Sequence, residues 1–328
     1  MQSAQRSTPR RPLLALLGPT ACGKTEAAVA LARELPVEVI AADSRQLRRG
    51  MRIGTAAPSD AELAAVPHHL VGIVEPDAPW TLADWLRAAR SAIASCHERG
   101  RLPLLVAGTG QYAWALLEGW QVPAVPPDPV LRAELEALAE EAGGPALARR
   151  LARVDPESAA RIDTRNVRRL IRAIEIVEAT GAPVPPLERG DPGLVWRAVG
   201  LARSRAELYA RADERAASLY ANGLLEETRA LIRRYGRSFP ALASVGYREA
   251  VRVIEGAWDV EQALARTRTE THRLIRQQAT WFRASDPRIR WVAARAGGAV
   301  TRALLEEAER LSPGRRAARD PASATAMR

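Results

Sequence analysis

Short apolar runs alternate with helix-like segments in the first part of the chain. The runs at residues 13–17, 37–42, 68–76 and 102–107 have the length of buried strands. The alanine-rich residues 24–35 and residues 82–96 are instead predicted to form helices. Strands that alternate with helices predict a parallel sheet covered by helices on both faces. Ligands of such sheets bind beyond the carboxyl ends of the strands, which predicts that residues 18–25, Asp43 and Thr109 share one edge.

Two proline-rich segments, residues 121–129 and 182–193, interrupt this alternation. Because proline lacks a backbone N–H and clashes with a preceding helical turn, neither segment can continue a helix or a central strand. The residues between them predict helices only. We therefore interpret residues 121–193 as a helical insertion domain within an α/β core of residues 12–120 and 194–311.

The second part of the core begins with a predicted strand at residues 195–202. Ser204 and Glu207 then form a capping box that opens a helix, and residues 288–292 predict a last strand. The tails, residues 1–11 and 312–328, are predicted to be disordered, since the second is rich in arginine, alanine, serine and proline.

Residues 18–25, GPTACGKT, fit the pattern G-x-x-x-x-G-K-[ST], between a predicted strand and a predicted helix as that motif requires. Its glycines let backbone N–H groups turn toward an anion, and the helix N-terminus adds partial positive charge. Lys24, the only lysine among 48 basic residues, supplies a compact charge where a planar guanidinium fits poorly. The hydroxyl of Thr25 is predicted to bind Mg²⁺. The predicted fold class is therefore α/β, with a P-loop NTPase-like parallel sheet flanked by helices and a helical insertion.

A phosphate-binding loop does not by itself name a reaction. A phosphoryl-transfer enzyme commonly carries a metal-binding aspartate at the end of an apolar strand, but the run at residues 102–107 ends without one. Glu75 and Asp43 follow other runs and are the acidic candidates. A P-loop kinase and an RNA-binding NTPase therefore stay open as alternatives.

The charge of the chain favours a polyanionic partner. Its 48 basic and 38 acidic residues leave a net charge of +10, which raises encounter rates with nucleic acid. Arg165, Arg168, Arg169 and Arg172 recur at helical spacing and form one stripe, while apolar residues form another. The sequence thus predicts a helix in the insertion that packs with one face and binds phosphate with the other.

Cysteine content and hydropathy indicate in which cellular compartment the protein works. Two cysteines, Cys22 and Cys96, are too few for a disulfide framework and favour a reducing cytoplasm. The longest apolar segments fall short of the ~18 residues of a membrane span, so we expect no membrane partner. The four histidines show no metal-ligand spacing along the chain.

Seven motifs occur in the order seen in the tRNA dimethylallyltransferases. The chain closely resembles that family over roughly residues 12 to 293. The motifs are GPTACGKT, ADSRQLRRGMRIGTAAP, HHLVGIVEPDAPWTLADW, LLVAGTGQYAWALLEG, VDPESAARI, SVGYREA and QATWFR. The resemblance implies transfer of a dimethylallyl group from dimethylallyl diphosphate to the N6 amino group of the adenosine at tRNA position 37, beside the anticodon. It also implies release of diphosphate, Mg²⁺ as cofactor, and tRNAs that read UNN codons as partners. We expect a monomeric enzyme.

The resemblance also implies site residues. Asp43 would be the general base, Thr109 would lie where donor meets adenine, and Arg215 would grip the leaving diphosphate. The diphosphate would bind Gly18, Pro19, Thr20, Ala21, Cys22, Gly23, Lys24 and Thr25, with Thr25 as the metal ligand. The tRNA would contact Asp43, Ser44, Arg45, Gln46, Thr109, Arg132, Arg168, Arg169, Leu170, Ile171, Arg172, Gly246, Tyr247 and Arg248. Arg45 departs from the family pattern, which commonly has methionine in this loop.

Overall fold

A computed structural model of the chain describes residues 10–295 and 298–311. Residues 1–9 and 312–328, most of the two predicted disordered tails, lie outside the described residues. The N-terminal tail was predicted to reach residue 11, but the first strand already begins at Arg11. The strands are β1 (Arg11–Leu17), β2 (Val37–Ala42), β3 (His68–His69), β4 (Leu102–Ala107), β5 (Leu194–Ala202) and β6 (Ile289–Ala293).

Helices account for most of the remaining described residues. Those that precede β5 are α1 (Lys24–Glu34), α2 (Asp60–Ala65), α3 (Leu82–Glu98), α4 (Gly110–Leu117), α5 (Pro129–Ala152), α6 (Pro156–Arg161) and α7 (Val167–Thr180). Those that follow it are α8 (Arg205–Ala221), α9 (Leu224–Tyr235), a 3₁₀ helix (Pro240–Ala243), α10 (Tyr247–Ile254), α11 (Val260–Trp281) and α12 (Ala299–Leu311). The capping box predicted at Ser204 and Glu207 opens α8.

The strands form one sheet in the order β3-β2-β4-β1-β5-β6, and every neighbouring pair is parallel. The α/β prediction is confirmed. The strand predicted at residues 68–76 is wrong beyond its first two residues. Leu70 adopts a left-handed conformation with φ 66°, which turns the chain away from β2. Val74 then exchanges backbone hydrogen bonds with Leu47 and Arg49, outside the sheet.

The register of the central strands sets the functional edge. Leu17 at the end of β1 and Ala42 at the end of β2 both pair with Ala107 at the end of β4. The residues that follow these three strands therefore emerge side by side. Two backbone hydrogen bonds fix them there, from Gly18 N to Ala107 O at 3.3 Å and from Thr109 N to Ala42 O at 3.3 Å.

The chain divides into two compact units. The sheet unit comprises the residues up to Ala78, Leu86–Gly119 and the residues from Asp191 onward. Its core lies between the central strands and the helices packed on them, and includes Leu14, Leu31, Leu104, Val199 and Leu304. The helical unit comprises Pro79–Trp85 and Trp120–Gly190, and its core includes Leu135, Leu147, Leu151, Leu170 and Ile174.

A polar cluster ties β2, β3 and α3 together at a distance from the functional edge. The Arg99 guanidinium donates to both carboxylate oxygens of Glu38, at 3.0 and 2.6 Å, and the Glu38 side chain is only 6% exposed. His69 Nε2 lies 2.7 Å and Cys96 Sγ 3.4 Å from Glu38 Oε2. Although these are metal-ligand residue types, the carboxylate is already matched by a guanidinium, and we interpret the cluster as an ion-pair network.

The network shifts two pKa values in opposite directions. The Arg99 guanidinium, more than any other neighbour, lowers the pKa of Glu38 from its usual 4.5 to about 2. Burial, with the nearby Glu38 carboxylate, raises the pKa of the Cys96 thiol to about 12. The carboxylate is therefore charged and the thiol protonated throughout the neutral range.

We expect Glu38→Gln to lower the free energy of unfolding by about 2 kcal/mol at pH 7, since it removes charge-assisted hydrogen bonds. A carboxylate whose pKa is lowered in the folded state stabilises the fold above its unfolded pKa. That stabilisation disappears as the pH falls toward the folded pKa of about 2. Urea unfolding at pH 7 and pH 3 should show the difference between variant and wild type shrinking in acid. Glu98→Gln, at an exposed position at the end of α3, should have little effect at either pH. An undiminished Glu38→Gln difference in acid would contradict the assignment.

Candidate functional site

The loop between β1 and α1 is shaped by two glycines. Gly23 has φ 101° immediately before α1, a left-handed conformation that side-chain-bearing residues rarely adopt. A Cβ at Gly18 would lie 2.8 Å from Cys22 Sγ, too close for any side chain. Residues 18–25 therefore fold into a tight turn whose amides lead into a helix N-terminus. Such a turn is suited to bind a phosphate or diphosphate.

The Lys24 ammonium closes over the start of this loop. Its Nζ donates to Gly18 O at 2.9 Å and to Pro19 O at 2.7 Å. The Cys22 thiol lies 3.8 Å away, and its residue is fully buried. The ammonium thus occupies a small space with several oxygen acceptors, where its three donors can turn from the carbonyls to a bound anion.

Two arginines support the loop from behind. Arg203 Nε donates to Cys22 O at 3.0 Å, and Arg211 Nε donates to Ala21 O at 2.9 Å. They hold these two carbonyls in place, and they add positive charge near the loop. Sequence reasoning missed Arg203, whose one signal is its place directly before the capping box of α8.

Asp43 follows β2 and faces the loop across a gap left by a glycine. Its Oδ1 accepts hydrogen bonds from Arg45 N at 2.8 Å and Gln46 N at 3.3 Å, which hold the carboxylate in place. A Cβ built on Gly108 would lie 4.0 Å from Asp43 Oδ2 and 3.7 Å from Lys24 Nζ. The carboxylate and the ammonium therefore flank the same small space, as the sequence prediction of a shared edge requires.

Thr109 joins the loops that follow β4 and β2. Its Oγ1 accepts a weak hydrogen bond of 3.5 Å from Ser44 N, and its own N–H bonds to the end of β2. The structure thus brings Thr109 together with Asp43 and Ser44.

Arg215 lies on α8 and does not contact the loop backbone. Its Nη2 donates to Ala56 O at 3.0 Å, and Gln46 Nε2 donates to the same carbonyl at 3.1 Å. Surrounding protein lowers the pKa of Arg215, and the negative charge of Asp43 acts in the opposite direction. An arginine nevertheless stays charged at physiological pH, so Arg215 adds a cation on the side of Asp43.

The predicted RNA-binding residues of the sheet unit differ in accessibility. Arg45 is exposed, and its Nη1 lies 2.5 Å from Ser244 Oγ, which links the loop after β2 to the segment before α10. Tyr247 is fully buried, with its hydroxyl donating to Glu227 at 2.5 Å. Arg248 pairs with Glu249 at 2.7 Å. Contact between the Tyr247 side chain and RNA is therefore a prediction that this structure does not support, because apolar packing encloses the ring.

Gly246 and Gln46 complete the set of predicted RNA contacts in this unit. Gly246 precedes α10 with φ 93°, and its N–H donates to Glu249 Oε2 at 2.7 Å. Gln46 is half-buried, and its amide is turned toward the carbonyl of Ala56. Both residues act here as structural elements of their loops.

Helix α7 of the helical unit separates into an exposed and a buried face. Arg168 and Arg169 are exposed, whereas Leu170 and Ile171 lie in the core with 0% and 3% exposure. The predicted RNA contacts of these two apolar side chains therefore need correction. Both side chains are packed in the core, and Arg168 and Arg169 are the exposed residues of the stretch.

Two further arginines predicted to contact RNA are bound within the helical unit. The buried Glu175 carboxylate accepts from Arg132 at 2.8 Å and from Arg172 at 3.4 Å. Arg172 also donates to Val125 O at 2.8 Å. Both guanidiniums neutralise a buried acid, and Arg172 also holds the proline-rich segment, so the predicted stripe is not uniformly free for phosphate.

The oxygen donors beside the loop are suited to Mg²⁺. The half-buried hydroxyl of Thr25 stands at the start of α1, and the Oδ2 of Asp43 faces the gap at Gly108. Mg²⁺ prefers oxygen ligands and commonly keeps several waters beside one or two carboxylates and substrate phosphates. Thr25 therefore offers the ion one oxygen ligand, beside those of water and a diphosphate.

Sequence comparisons identify relatives along most of the chain. The family model described as IPP transferase matches residues 46–285, and one described as isopentenyl transferase matches residues 12–69. A tRNA dimethylallyltransferase of Chloroflexus aurantiacus is 50% identical over 273 residues, which cover 83% of this chain and 92% of the relative. A tRNA dimethylallyltransferase of Dehalococcoides mccartyi is 41% identical over 286 residues, which cover 87% of this chain and 88% of the relative.

Solved structures agree with these matches. The full-length tRNA isopentenylpyrophosphate transferase from Bacillus halodurans has a TM-score of 0.67 and 34% identity, and the match covers 93% of this chain and 97% of that one. A eukaryotic dimethylallyltransferase acting on tRNA has a TM-score of 0.72 at 20% identity. The match covers 92% of this chain and 80% of that one, and it supports the fold alone.

In the described part of the chain, no helix is both long and apolar enough to span a membrane.

A prenyltransferase family sets aside the kinase and NTPase alternatives that the phosphate-binding loop left open. The matched residues include the loop, Asp43, Thr109 and the arginines of α8. The chain belongs to the IPP transferase family, together with the tRNA dimethylallyltransferases that it resembles over most of its length.

Proposed function

We propose that this protein transfers a dimethylallyl group from dimethylallyl diphosphate to the N6 amino group of the adenosine at tRNA position 37, and releases diphosphate. One observation carries the proposal. The Lys24 ammonium and the Asp43 carboxylate flank the same space above Gly108, at 3.7 and 4.0 Å from a Cβ built there. An anion-binding loop beside a proton acceptor is the pairing that alkyl transfer from a diphosphate to an amine requires.

The loop serves the leaving group. As the allylic carbon–oxygen bond breaks, negative charge grows on the diphosphate, and donors fixed in advance stabilise it without reorganisation. Lys24, the loop amides and the N-terminus of α1 supply those donors, and Arg203 and Arg211 hold the loop in shape. When bound beside Thr25, Mg²⁺ would neutralise further charge on the diphosphate oxygens.

Asp43 serves the nucleophile. The exocyclic amine of adenine is a weak nucleophile whose proton becomes acidic as the new carbon–nitrogen bond forms. Asp43 Oδ2 receives that proton, a contribution of about 10²–10⁴-fold, while two backbone amides hold Oδ1. Thr109, which is held beside Asp43, lies where the prenyl donor meets the adenine. The adenine must leave its stack to reach this space, as for other enzymes that modify bases.

The proposal includes a partner and a cellular location. We infer that the substrate is the anticodon stem-loop of tRNAs that read UNN codons, held by Arg45 and by the exposed Arg168 and Arg169. We also infer a monomeric enzyme that works in the cytoplasm, where Cys22 and Cys96 stay reduced; both are free thiols in this structure.

The direct test incubates the protein with radiolabelled dimethylallyl diphosphate, Mg²⁺ and unmodified tRNA. Label is expected in tRNA with adenosine beside the anticodon and absent from tRNA with guanosine there. Unlabelled RNA together with ATP hydrolysis would overturn the proposal in favour of an NTPase.

Arg168→Ala combined with Arg169→Ala is expected to weaken tRNA binding and to reduce its salt dependence by about two units of slope, since each lost phosphate contact removes about one. The Michaelis constant for the donor should hardly change. Arg149→Ala with Arg153→Ala removes the same charge from exposed positions in and directly after the last turn of α5 and serves as the control. Equal binding and slope in both double variants would mean that α7 has no special contact with RNA.

A further inference from the structure

Gln278, near the end of α11, reaches the phosphate-binding loop. Its Oε1 accepts a hydrogen bond of 2.8 Å from Thr20 N, a residue 258 positions away in sequence. Thr20 lies in the turn between β1 and α1. A side chain from the C-terminal part of the chain thus holds one backbone amide of the phosphate-binding loop.

The other end of the same carboxamide lines the reaction space. A Cβ built on Gly108 would lie 3.2 Å from Gln278 Nε2, closer than to Lys24 Nζ at 3.7 Å or Asp43 Oδ2 at 4.0 Å. Three side chains from α1, α11 and the end of β2 therefore surround the space that the glycine leaves. The amide donor of Gln278 thus lines the same space as the ammonium and the carboxylate.

The end of α11 is seated firmly enough to aim this side chain. Trp281, one turn beyond Gln278, lies against Gly110 at the start of α4, where any Cβ would come within 2.2 Å of the Trp281 Cβ. Trp114 Nε1 also donates to Trp281 O at 2.9 Å. The packing of α11 on α4 thus sets how far Gln278 extends over the loop.

A glutamine meets the chemical demand of this position better than its acidic analogue. The Thr20 amide needs an acceptor, which either a carboxamide or a carboxylate supplies. A carboxylate here would add a negative charge beside Asp43 and beside the diphosphate that the loop is built to bind, and like charges at such distances repel strongly. The neutral side chain holds the amide without opposing the anion.

Resting on the proposed function, we propose that Gln278 is a positioning residue of the transfer reaction. Its Oε1 holds the phosphate-binding loop through Thr20, and its Nε2 bounds the space in which the allylic carbon meets the amine. The neutrality of Gln278 is a determinant of diphosphate binding, and its length sets the geometry of transfer.

The test measures affinity for inorganic pyrophosphate and single-turnover transfer in the full-length protein. Gln278→Glu keeps the bond to Thr20 and is expected to lower pyrophosphate affinity about 10–100-fold through like-charge repulsion. Gln278→Asn stays neutral but falls one methylene short of Thr20, so it should lower the transfer rate about tenfold with little change in pyrophosphate affinity. Gln277→Glu, at the exposed neighbouring position of α11, makes the same charge change and should behave as wild type.

Thermal unfolding of each variant separates positioning from folding, because a merely structural glutamine would change stability and both readouts together. Pyrophosphate affinity within twofold of wild type for Gln278→Glu, or equal losses for Gln278→Glu and Gln277→Glu, would overturn the inference. Pyrophosphate binding does not depend on the identity of the acceptor. A wild-type protein that binds pyrophosphate but transfers no label would therefore count against the proposed function and leave the inference to be decided by affinity.

Discussion

Asp43→Asn is expected to bind the prenyl donor and tRNA normally and to transfer about 10²–10⁴-fold more slowly. The amide keeps the shape of the carboxylate and an oxygen that still accepts from Arg45 N and Gln46 N, the two bonds that hold the side chain. On the side that faces Gly108, asparagine carries an NH₂ group, which accepts no proton. The loss should therefore appear in the single-turnover rate and leave the donor dissociation constant almost unchanged.

The exposed Asp77 provides the matched control, since Asp77→Asn removes the same charge away from the gap at Gly108. Its single-turnover rate should equal that of wild type. A rate for Asp43→Asn within a few-fold of wild type would reject Asp43 as the proton acceptor. A loss confined to donor affinity would instead assign Asp43 to metal binding.

Lys24→Arg is expected to slow the chemical step by about 10²–10³-fold although it keeps the charge, a loss like that of an oxyanion-hole donor. The ammonium lies within 2.9 Å of Gly18 O and 2.7 Å of Pro19 O. A planar guanidinium has a wider head and fixed donor directions, so it cannot occupy that space without displacing diphosphate oxygens. Because the charge to be stabilised grows as the carbon–oxygen bond breaks, the rate should suffer more than donor binding.

Lys24→Ala should be only slightly slower than Lys24→Arg in single-turnover measurements, because both lack the compact ammonium at the loop. Arg33→Lys makes the reverse exchange at an exposed position of α1 and should leave the rate unchanged. If Lys24→Arg runs within a few-fold of wild type, geometry does not explain why the one lysine of the chain stands here.

Local pattern was sufficient for the sheet and for its functional edge. The buried runs of β1, β2 and β4, the glycine turn of residues 18–25 and the capping box of α8 are each specified by residues close in sequence. Parallel pairing then places the residue after each strand at one edge, whatever the packing elsewhere. The predicted meeting of residues 18–25, Asp43 and Thr109 follows from these rules alone.

Charge periodicity was a poorer guide on α7. Its spacing places Arg168, Arg169 and Arg172 on one stripe, but Arg172 and the distant Arg132 are bound to the buried carboxylate of Glu175. A periodic pattern predicts on which face of a helix a side chain lies. It does not predict whether another helix or strand supplies a partner for that side chain. The same reason hides the Glu38 network, whose members come from β2, β3 and α3.

The sequence alone determined the α/β fold, the phosphate-binding loop and the edge on which a carboxylate meets it, because each depends on neighbours along the chain or on strand direction. Only the tertiary structure decided that Gln278 reaches Thr20, that Arg203 and Arg211 bind the loop carbonyls, and that Tyr247 is enclosed. These contacts join residues more than 100 positions apart, or depend on what covers a side chain. They arise from the way helices dock on the sheet, which local propensity does not encode.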